Sequence, residues 1–387
     1  MFSQMDSFQW SHKGGLSAWH SVGMHAVTVP GRVNLIGEHI DYHNLPVLPM
    51  AIQRRIRLDY ESITESLVRA ESDTYQNVEV ELNGDLQPAA AGDWSNYIKA
   101  AVAAVRTRWR IAHGIEAKVT SDLPAAAGLS SSSALMTGFT IALLRANGIE
   151  PSVDELMEVL PDGEQFVGTR GGGMDHAAVL ASQTGCALLV EFAPLGLRSV
   201  PIPDTWSFIV AHSMKTAEKS GAAREYYNAR RVAGQSALTK LGATSYRCAA
   251  QNDSSGGLAR LNDDELRTFR HVVSEHRRVR GAVAALENAD KEAFGALLYE
   301  SHHSLRDDLR VSCAELDELV DLARKSDALG ARLTGAGFGG CAIVFCEAHE
   351  RSRIAQALVG GFYAKRSGFD LSKHLIFAEP SAGALGA

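Results

Sequence analysis

The chain has 387 residues, 45% of them hydrophobic and 21% charged, the balance of an ordinary globular protein and long enough for two domains. A formal net charge of −7 provides no dense positive face, which argues against a nucleic-acid partner. The first residues carry no apolar leader and no apolar run approaches the roughly 18 residues of a membrane span, so a cytoplasmic protein without membrane contact is expected.

Taken in chain order, "FQW" and "AW" within residues 1–22 offer anchoring or helical contacts at best. "HAVTVPGRVNLIGEH" then reads as a strand running into a loop. "VLPMAIQRRIRLDYESI" alternates as a half-buried strand should, with "RRIR" a solvated edge. "VRAESDTYQNVEVEL" suggests two strands about a polar turn, and "DWSNYIKAAVAAVRTRW" a helix opened by an Asp/Ser cap. The strand "IEAKVTSDL" feeds "LPAAAGLSSSSAL", and "ALMTGFTIALLRAN" is a buried helix. "TGCALLVEF" and "WSFIVAHS" are strands, and "VPIPDTW" between them marks a boundary, giving domains 1–203 and 204–387. Beyond it, "REYYNARRVAGQSALTKL", "DDELRTFRHVVSEHRRVRGAVAAL", "KEAFGALLYESHHSLRDDL" and "CAELDELVDLARKS" are helical, with "AAQNDSSGGLARLND" a surface excursion. "GARLTGAGFGGCAIVFCE" is strand, glycine turn, strand. The class is α+β. The five cysteines, Cys186, Cys248, Cys313, Cys341 and Cys346, lack metal or redox spacing and suggest buried reduced thiols.

Four stretches carry candidate chemistry. Serine and glycine are poor helix formers, so Gly128, Leu129 and Ser130 to Ser133 ahead of an apolar helix need a reason. They are either a generous N-cap or an anion site, where free N–H groups and the helix dipole face a phosphate. The stretch lacks the Walker GK[ST] ending. "PGRVNLIGEHIDY" crowds Arg32, Asn34, Glu38, His39 and Asp41 around apolar residues. It is either a salt-bridged loop or a cradle for a hydroxyl-rich ligand, the guanidinium suiting a phosphoryl group. "GTRGGGMDHAA" holds Asp175 at a bend after glycines, as a turn residue, a cap or a catalytic group. "LTGAGFGGCAIVF" matches GxGxxG in letters only, because it opens a strand near the C-terminal end rather than a helix in a βαβ unit. His302 and His303, adjacent on a helix, cannot form an i,i+4 metal pair, and Arg306 beside Asp307 and Asp308 reads as an ion-pair cluster.

In this order the motifs resemble the GHMP sugar and isoprenoid kinases, and within them the galactokinases: "GRVNLIGEHIDY" with "VLPMAI", then "GLSSSSAL", "GGMD" and "LTGAGFGGCAIV". "WSNYIK", "EYYNARR" and "SHHSLRDDLRVSCAELDELV" are similar as well, so the resemblance covers about Val27 to Phe345. It implies a two-domain fold with an interdomain active site. The serine loop (Gly128, Leu129, Ser130, Ser131, Ser132, Ser133) would hold the phosphates of ATP, with Trp94 near the adenine. Mg2+ would be held with Ser131 or Ser132. Asp175 and Arg32 would be catalytic, the cation favouring the ionised carboxylate. Glu38, His39, Asp41, Gly172 and Tyr227 would contact the sugar, and the anomeric hydroxyl of galactose would be phosphorylated. Small-molecule substrates and a monomer or weak dimer are expected. His176 stands where the resemblance leads one to expect Gln, and is read as a passive hydrogen-bond partner. "EHIDY", "VLPMA", "GLSSSSAL" and "GGGMD" are also similar to the N-acetylgalactosamine kinases, which makes that sugar the second expectation. Another GHMP substrate, a different sugar or a mevalonate-like one, is a third, with "GEHIDY" speaking against the mevalonate type. A catalytically silent galactose/ATP sensor is an alternative of another class, disfavoured by the intact serine loop and Asp175.

Overall fold

A five-stranded sheet and a four-stranded sheet organise the two halves of the chain, each with helices packed on it. The computed structural model describes residues 24–90, 92–124, 127–164, 172–216, 222–249 and 254–386. The "FQW" and "AW" segments lie outside the described residues, as do Gly168 to Gly171.

Strands β1 (His25–Ile36) and β2 (Leu48–Ile63) form a long antiparallel pair whose inward residues, such as Val29 and Val33, are fully buried. Strands β3 (Leu67–Ser72) and β4 (Val78–Glu81) form a hairpin at the far edge. Helix α1 (Ser95–Arg108) starts without a side-chain cap on its N-cap residue Trp94, although the Asp93 carboxylate accepts from the Ser95 N–H at 2.9 Å. Strand β5 (Gly114–Ser121) completes the order β1-β2-β5-β3-β4, pairing antiparallel with β2 and parallel with β3. Helix α2 (Ser131–Ala146) packs on β1 and β2 and buries Leu135 to Leu144. Helix α3 (Val153–Gly163) is opened by a Ser152/Glu155 capping box, and α4 (Met174–Ala181) lies against α2, α3 and β1. A hairpin, β6 (Cys186–Glu191) and β7 (Gly196–Pro201), is joined to the first sheet by paired bonds between Val47 and Val190.

After Pro203 the second sheet begins with β8 (Trp206–His212). Helices α5 (Ala222–Leu241), the single turn α6 (Tyr246–Ala249), α7 (Asp263–Glu287), α8 (Lys291–Asp307) and α9 (Ala314–Lys325) follow. Strands β9 (Gly330–Thr334) and β10 (Cys341–Glu347) flank the glycine turn. Helix α10 (Arg351–Gly361), the turn α11 (Leu371–His374) and β11 (Leu375–Ala378) close the sheet in the antiparallel order β11-β8-β10-β9. The last residues return to the N-terminal half: the N–H groups of Gly383, Ala384 and Leu385 donate to the carbonyls of Ser182, Val179 and Leu180, supplying partners for the open end of α4.

The strands and helices read from the sequence are present, and α3, α4, α6, α10, α11, β7 and β11 are additions to them, α4 replacing the bend expected at Asp175. The cysteine expectation needs correcting. All five are free thiols, but only Cys341 and Cys346 are buried and Cys248 is exposed. Among the described residues no helix is long and apolar enough to cross a membrane. His302 is structural, its Nδ1 accepting from the Leu333 N–H at 3.3 Å, and Arg306 pairs with Asp307 at 2.8 Å.

The packing of α8 on β9 depends on two glycines: a Cβ on Gly295 would meet the Leu329 carbonyl and the Gly330 nitrogen. Gly295→Ala is expected to lower unfolding stability by about 1–3 kcal/mol. Gly360→Ala, on a helix and with nothing near its missing Cβ, should raise it by about 0.5–1 kcal/mol. Urea titrations of both variants check the pair.

Candidate active site

The serine segment bends out of β5 and enters α2 through two left-handed residues, Gly128 (φ 77°) and Ser130 (φ 60°). Ser130 is the N-cap residue, yet its hydroxyl does not cap the helix; it is buried and has no hydrogen-bond partner. The generous N-cap is therefore not what these hydroxyls provide, and the first turn keeps its donors and its dipole for something else. Leu129 is buried and Ser131 and Ser132 are half-buried. Ser133, one turn in, donates to the Glu164 carboxylate at 2.8 Å.

Arg32 reaches this segment because β1 shifts register against β2 between Pro30 and Arg32, and such irregularities re-aim a side chain. Gly31 permits the approach, since a Cβ there would meet Leu123 and the Leu129 carbonyl. The Arg32 N–H then donates to the Leu129 carbonyl at 3.1 Å and its Nη1 to the Gly128 carbonyl at 2.7 Å. Its Nε and Nη2 grip Asp175 Oδ1 at 2.8 and 2.6 Å. Asp175 sits in the first turn of α4, where the dipole favours an anion, and the helix can start there because Gly173 takes φ 101°. The two residues expected to be catalytic thus meet across 143 positions of sequence.

The polyol candidates gather beside them. Asp41 Oδ2 accepts from the Gly172 N–H at 3.0 Å, and a Cβ on Gly172 would collide with the Asp41 and Tyr42 backbone. Burial, reinforced by the Asp175 charge, raises the Asp41 carboxyl to about 6. His39 is kept neutral, its pKa lowered by burial to about 3. Its Nε2 donates to the Ala336 carbonyl at 3.1 Å, which leaves Nδ1 to accept from the Tyr42 hydroxyl at 2.9 Å. The Tyr227 ring lies 5.2 Å from His39 and 5.7 Å from Tyr42. Burial and the nearby carboxylates hold its hydroxyl protonated well above the usual range.

Glu38 faces inward from the same loop. Its Oε2 accepts from Arg332 at 2.6 Å and from Asn34, and its Oε1 from the Gly335 N–H at 2.6 Å. Burial pushes this carboxyl up, and Arg332 pulls against it. The third motif also touches the serine loop, with the Gly335 backbone packed against that of Gly128. Trp94 is turned toward the β3–β4 turn, donating its indole N–H to the Gln76 carbonyl at 2.9 Å with the Tyr75 ring stacked on it. His176, fully buried, has Nδ1 3.4 Å from Thr137 Oγ1 and Nε2 3.4 Å from Glu164. Glu164 and Arg332 carry no expectation from the sequence. Glu164 has no local signal, whereas Arg332 is a lone charge in an apolar strand, which is one.

Three family models match the chain: the galactokinase galactose-binding signature at 19–58, the GHMP kinases N terminal domain at 96–183, and the GHMP kinases C terminal at 282–365. Streptomyces coelicolor galactokinase is 36% identical over 92% of both chains. The chain belongs to the galactokinases of the GHMP kinase family. Bos taurus galactokinase is 34% identical over 86% of each chain. The crystal structure of Lactococcus lactis galactokinase complexed with galactose matches with a TM-score of 0.83 and 27% identity, covering 93% of this chain and 94% of that one.

The raised Asp41 carboxyl has a thermodynamic sign. Between pH 4 and about 6 the folded chain holds a proton that the unfolded chain has lost, so Asp41 lowers stability increasingly as pH rises through that window. Asp41→Asn should therefore gain on the parent by about 2–3 kcal/mol between pH 4 and pH 7. Urea unfolding at both pH values reads the difference.

Proposed function

We propose that this chain transfers the terminal phosphoryl group of ATP to the anomeric (C1) hydroxyl of galactose, giving galactose 1-phosphate. The observation that carries the reading is the Arg32 guanidinium, bound at once to Asp175 and to the Gly128 carbonyl of the serine segment. One cation thereby spans the acceptor side and the phosphate side of the site.

Phosphoryl transfer asks mainly for in-line positioning and for neutralisation of charge on the transferring oxygens. The uncapped first turn of α2 supplies backbone N–H donors and dipole for the triphosphate, with the hydroxyls of Ser130, Ser131 and Ser132 around it. Arg32 offsets charge on the moving phosphoryl group. Asp175 orients the C1 hydroxyl and takes its proton as the new P–O bond forms. Asp41 and Tyr227 receive ring hydroxyls, with the Gly172 backbone close behind and Glu38 and His39 forming the floor. Trp94, expected near the adenine, has its indole N–H bound to the Gln76 carbonyl and the Tyr75 ring stacked on it.

Ser133 and Glu164 fit a magnesium ion better than Ser131 and Ser132 do, because they are a hydroxyl and a carboxylate already 2.8 Å apart, hard oxygen donors of the kind this cation takes. When bound, the ion would neutralise phosphate charge. His176 packs against Glu164 and Thr137, its Nε2 3.4 Å from the carboxylate without a hydrogen bond.

In a coupled ADP-release assay Asp175→Asn is expected to lower kcat about 10²–10⁴-fold while leaving the folded state intact by circular dichroism. In a panel of galactose, N-acetylgalactosamine, glucose and talose, galactose should have the highest kcat/KM. Undiminished turnover by Asp175→Asn would overturn the mechanism, and a preference for N-acetylgalactosamine would overturn the substrate.

A further inference from the structure

We propose that Arg332 is a positioning residue for the sugar: from the C-terminal half it clasps the turn at residues 34–38 and so sets the shape of the galactose site, with Ser301 and Glu275 holding it in place. The proposal rests on the galactokinase reading above and goes beyond it, because Arg332 touches neither the proposed sugar hydroxyls nor the phosphate segment.

Arg332 is fully buried on β9 between alanine and leucine, the largest such side chain among the described residues. Its donors are placed with little to spare. Nε donates to the Ser301 hydroxyl at 3.1 Å, Nη1 to the carbonyls of Asn34 and Leu35 at 3.1 and 3.0 Å, and Nη2 to Glu38 at 2.6 Å. Burying a guanidinium is costly, and well-packed apolar side chains commonly do as well for stability. What an apolar residue cannot do is donate from one planar group to two successive carbonyls and a carboxylate. Those carbonyls need a donor because β1 shifts register against β2 between Asn34 and Ile36, and the Thr334 hydroxyl adds a second bond to the Asn34 carbonyl at 3.1 Å.

The same turn is held from α7. Glu275, fully buried, accepts from the Gly37 N–H at 2.9 Å and from Ser301 at 2.7 Å through Oε1, and from Arg278 at 2.7 Å through Oε2. His271 Nε2 donates to the Glu38 carbonyl at 3.0 Å. Ser301 on α8 therefore bridges Arg332 to Glu275, and the carbonyls of Asn34, Leu35 and Glu38 and the Gly37 N–H are fixed from β9 and α7. The segment they fix runs directly into His39 and Asp41. A small tilt of it misplaces the sugar cradle, while Arg32, the Gly128 segment and the start of α2 keep their own contacts. Misplacement near 1 Å is costly to a reaction that depends on alignment.

The test uses the full chain with Arg332→Lys, which keeps the charge and loses the fork, and Ser301→Ala, which removes only the bridging hydroxyl and is the milder change. Galactose Kd is read by calorimetry, KM for galactose and for ATP by ADP release, and folding by urea midpoint. Arg332→Lys is expected to weaken galactose binding about tenfold or more and Ser301→Ala about two- to fivefold, with the ATP KM within about twofold of the parent. Arg332→Lys decides the matter where it folds, and Ser301→Ala where it does not. A galactose Kd that stays at the parental value in the deciding variant, whatever the urea midpoint does, overturns the proposal. So does an ATP KM that rises in step with the galactose KM, because a general loss of structure would move both.

Discussion

The contact between Arg32 and Asp175 is the constraint on which the site depends. A guanidinium within a long strand and a carboxylate in the first turn of a short helix meet through one oxygen, at 2.6 and 2.8 Å, while the same guanidinium holds the Gly128 carbonyl. That requires a register shift and a side-chain-free Gly31 in β1, left-handed turns at Gly128 and Ser130, and a left-handed Gly173 ahead of α4. Each feature has a modest cost of its own, of the kind that accumulates at functional sites. Together they set a cation between the two places where negative charge must be managed.

Around that contact the two halves of the chain share the work unequally. The N-terminal half supplies the charge and the helix dipole. The C-terminal half supplies Tyr227, the turn after Thr334, and the buried donors and acceptors behind the signature loop. The last residues cross back to satisfy the carbonyls of α4, the helix that carries Asp175. The buried ions Arg332, Glu38 and Glu275 are poor sources of net stability, but they specify one arrangement of the loop among many. Glu275 is strongly held in its charged form, its pKa lowered to about 2 despite burial, with Arg278 the foremost opposing cause.

Much of this was legible in the residues because local rules and the fold agree. The alternation in β2 and the spacing in α1, α7 and α9 follow from one buried face each. The crowding of polar groups after Pro30 and the serines before an apolar helix point to ligands because neither makes sense as packing. Helix α3 was harder: it ends on Pro161 and Gly163, and its capping box is its clearest local mark. Strand β7 carries Gly196 and Pro201, both poor in strands. What sequence could not display was partnership at a distance. The bond from Ser133 to Glu164 spans 31 positions and that from Arg332 to Glu38 spans 294; the lone charge of Arg332 in an apolar strand is a local signal, but no local pattern names either partner.

A crystal structure of the chain with galactose and a non-hydrolysable ATP analogue tests the central claim most directly. The terminal phosphate should contact Arg32 at the first turn of α2, with the sugar C1 hydroxyl within about 3 Å of the Asp175 carboxylate. A sugar bound with C1 turned away from Asp175, or a triphosphate seated apart from the serine segment, would contradict the account.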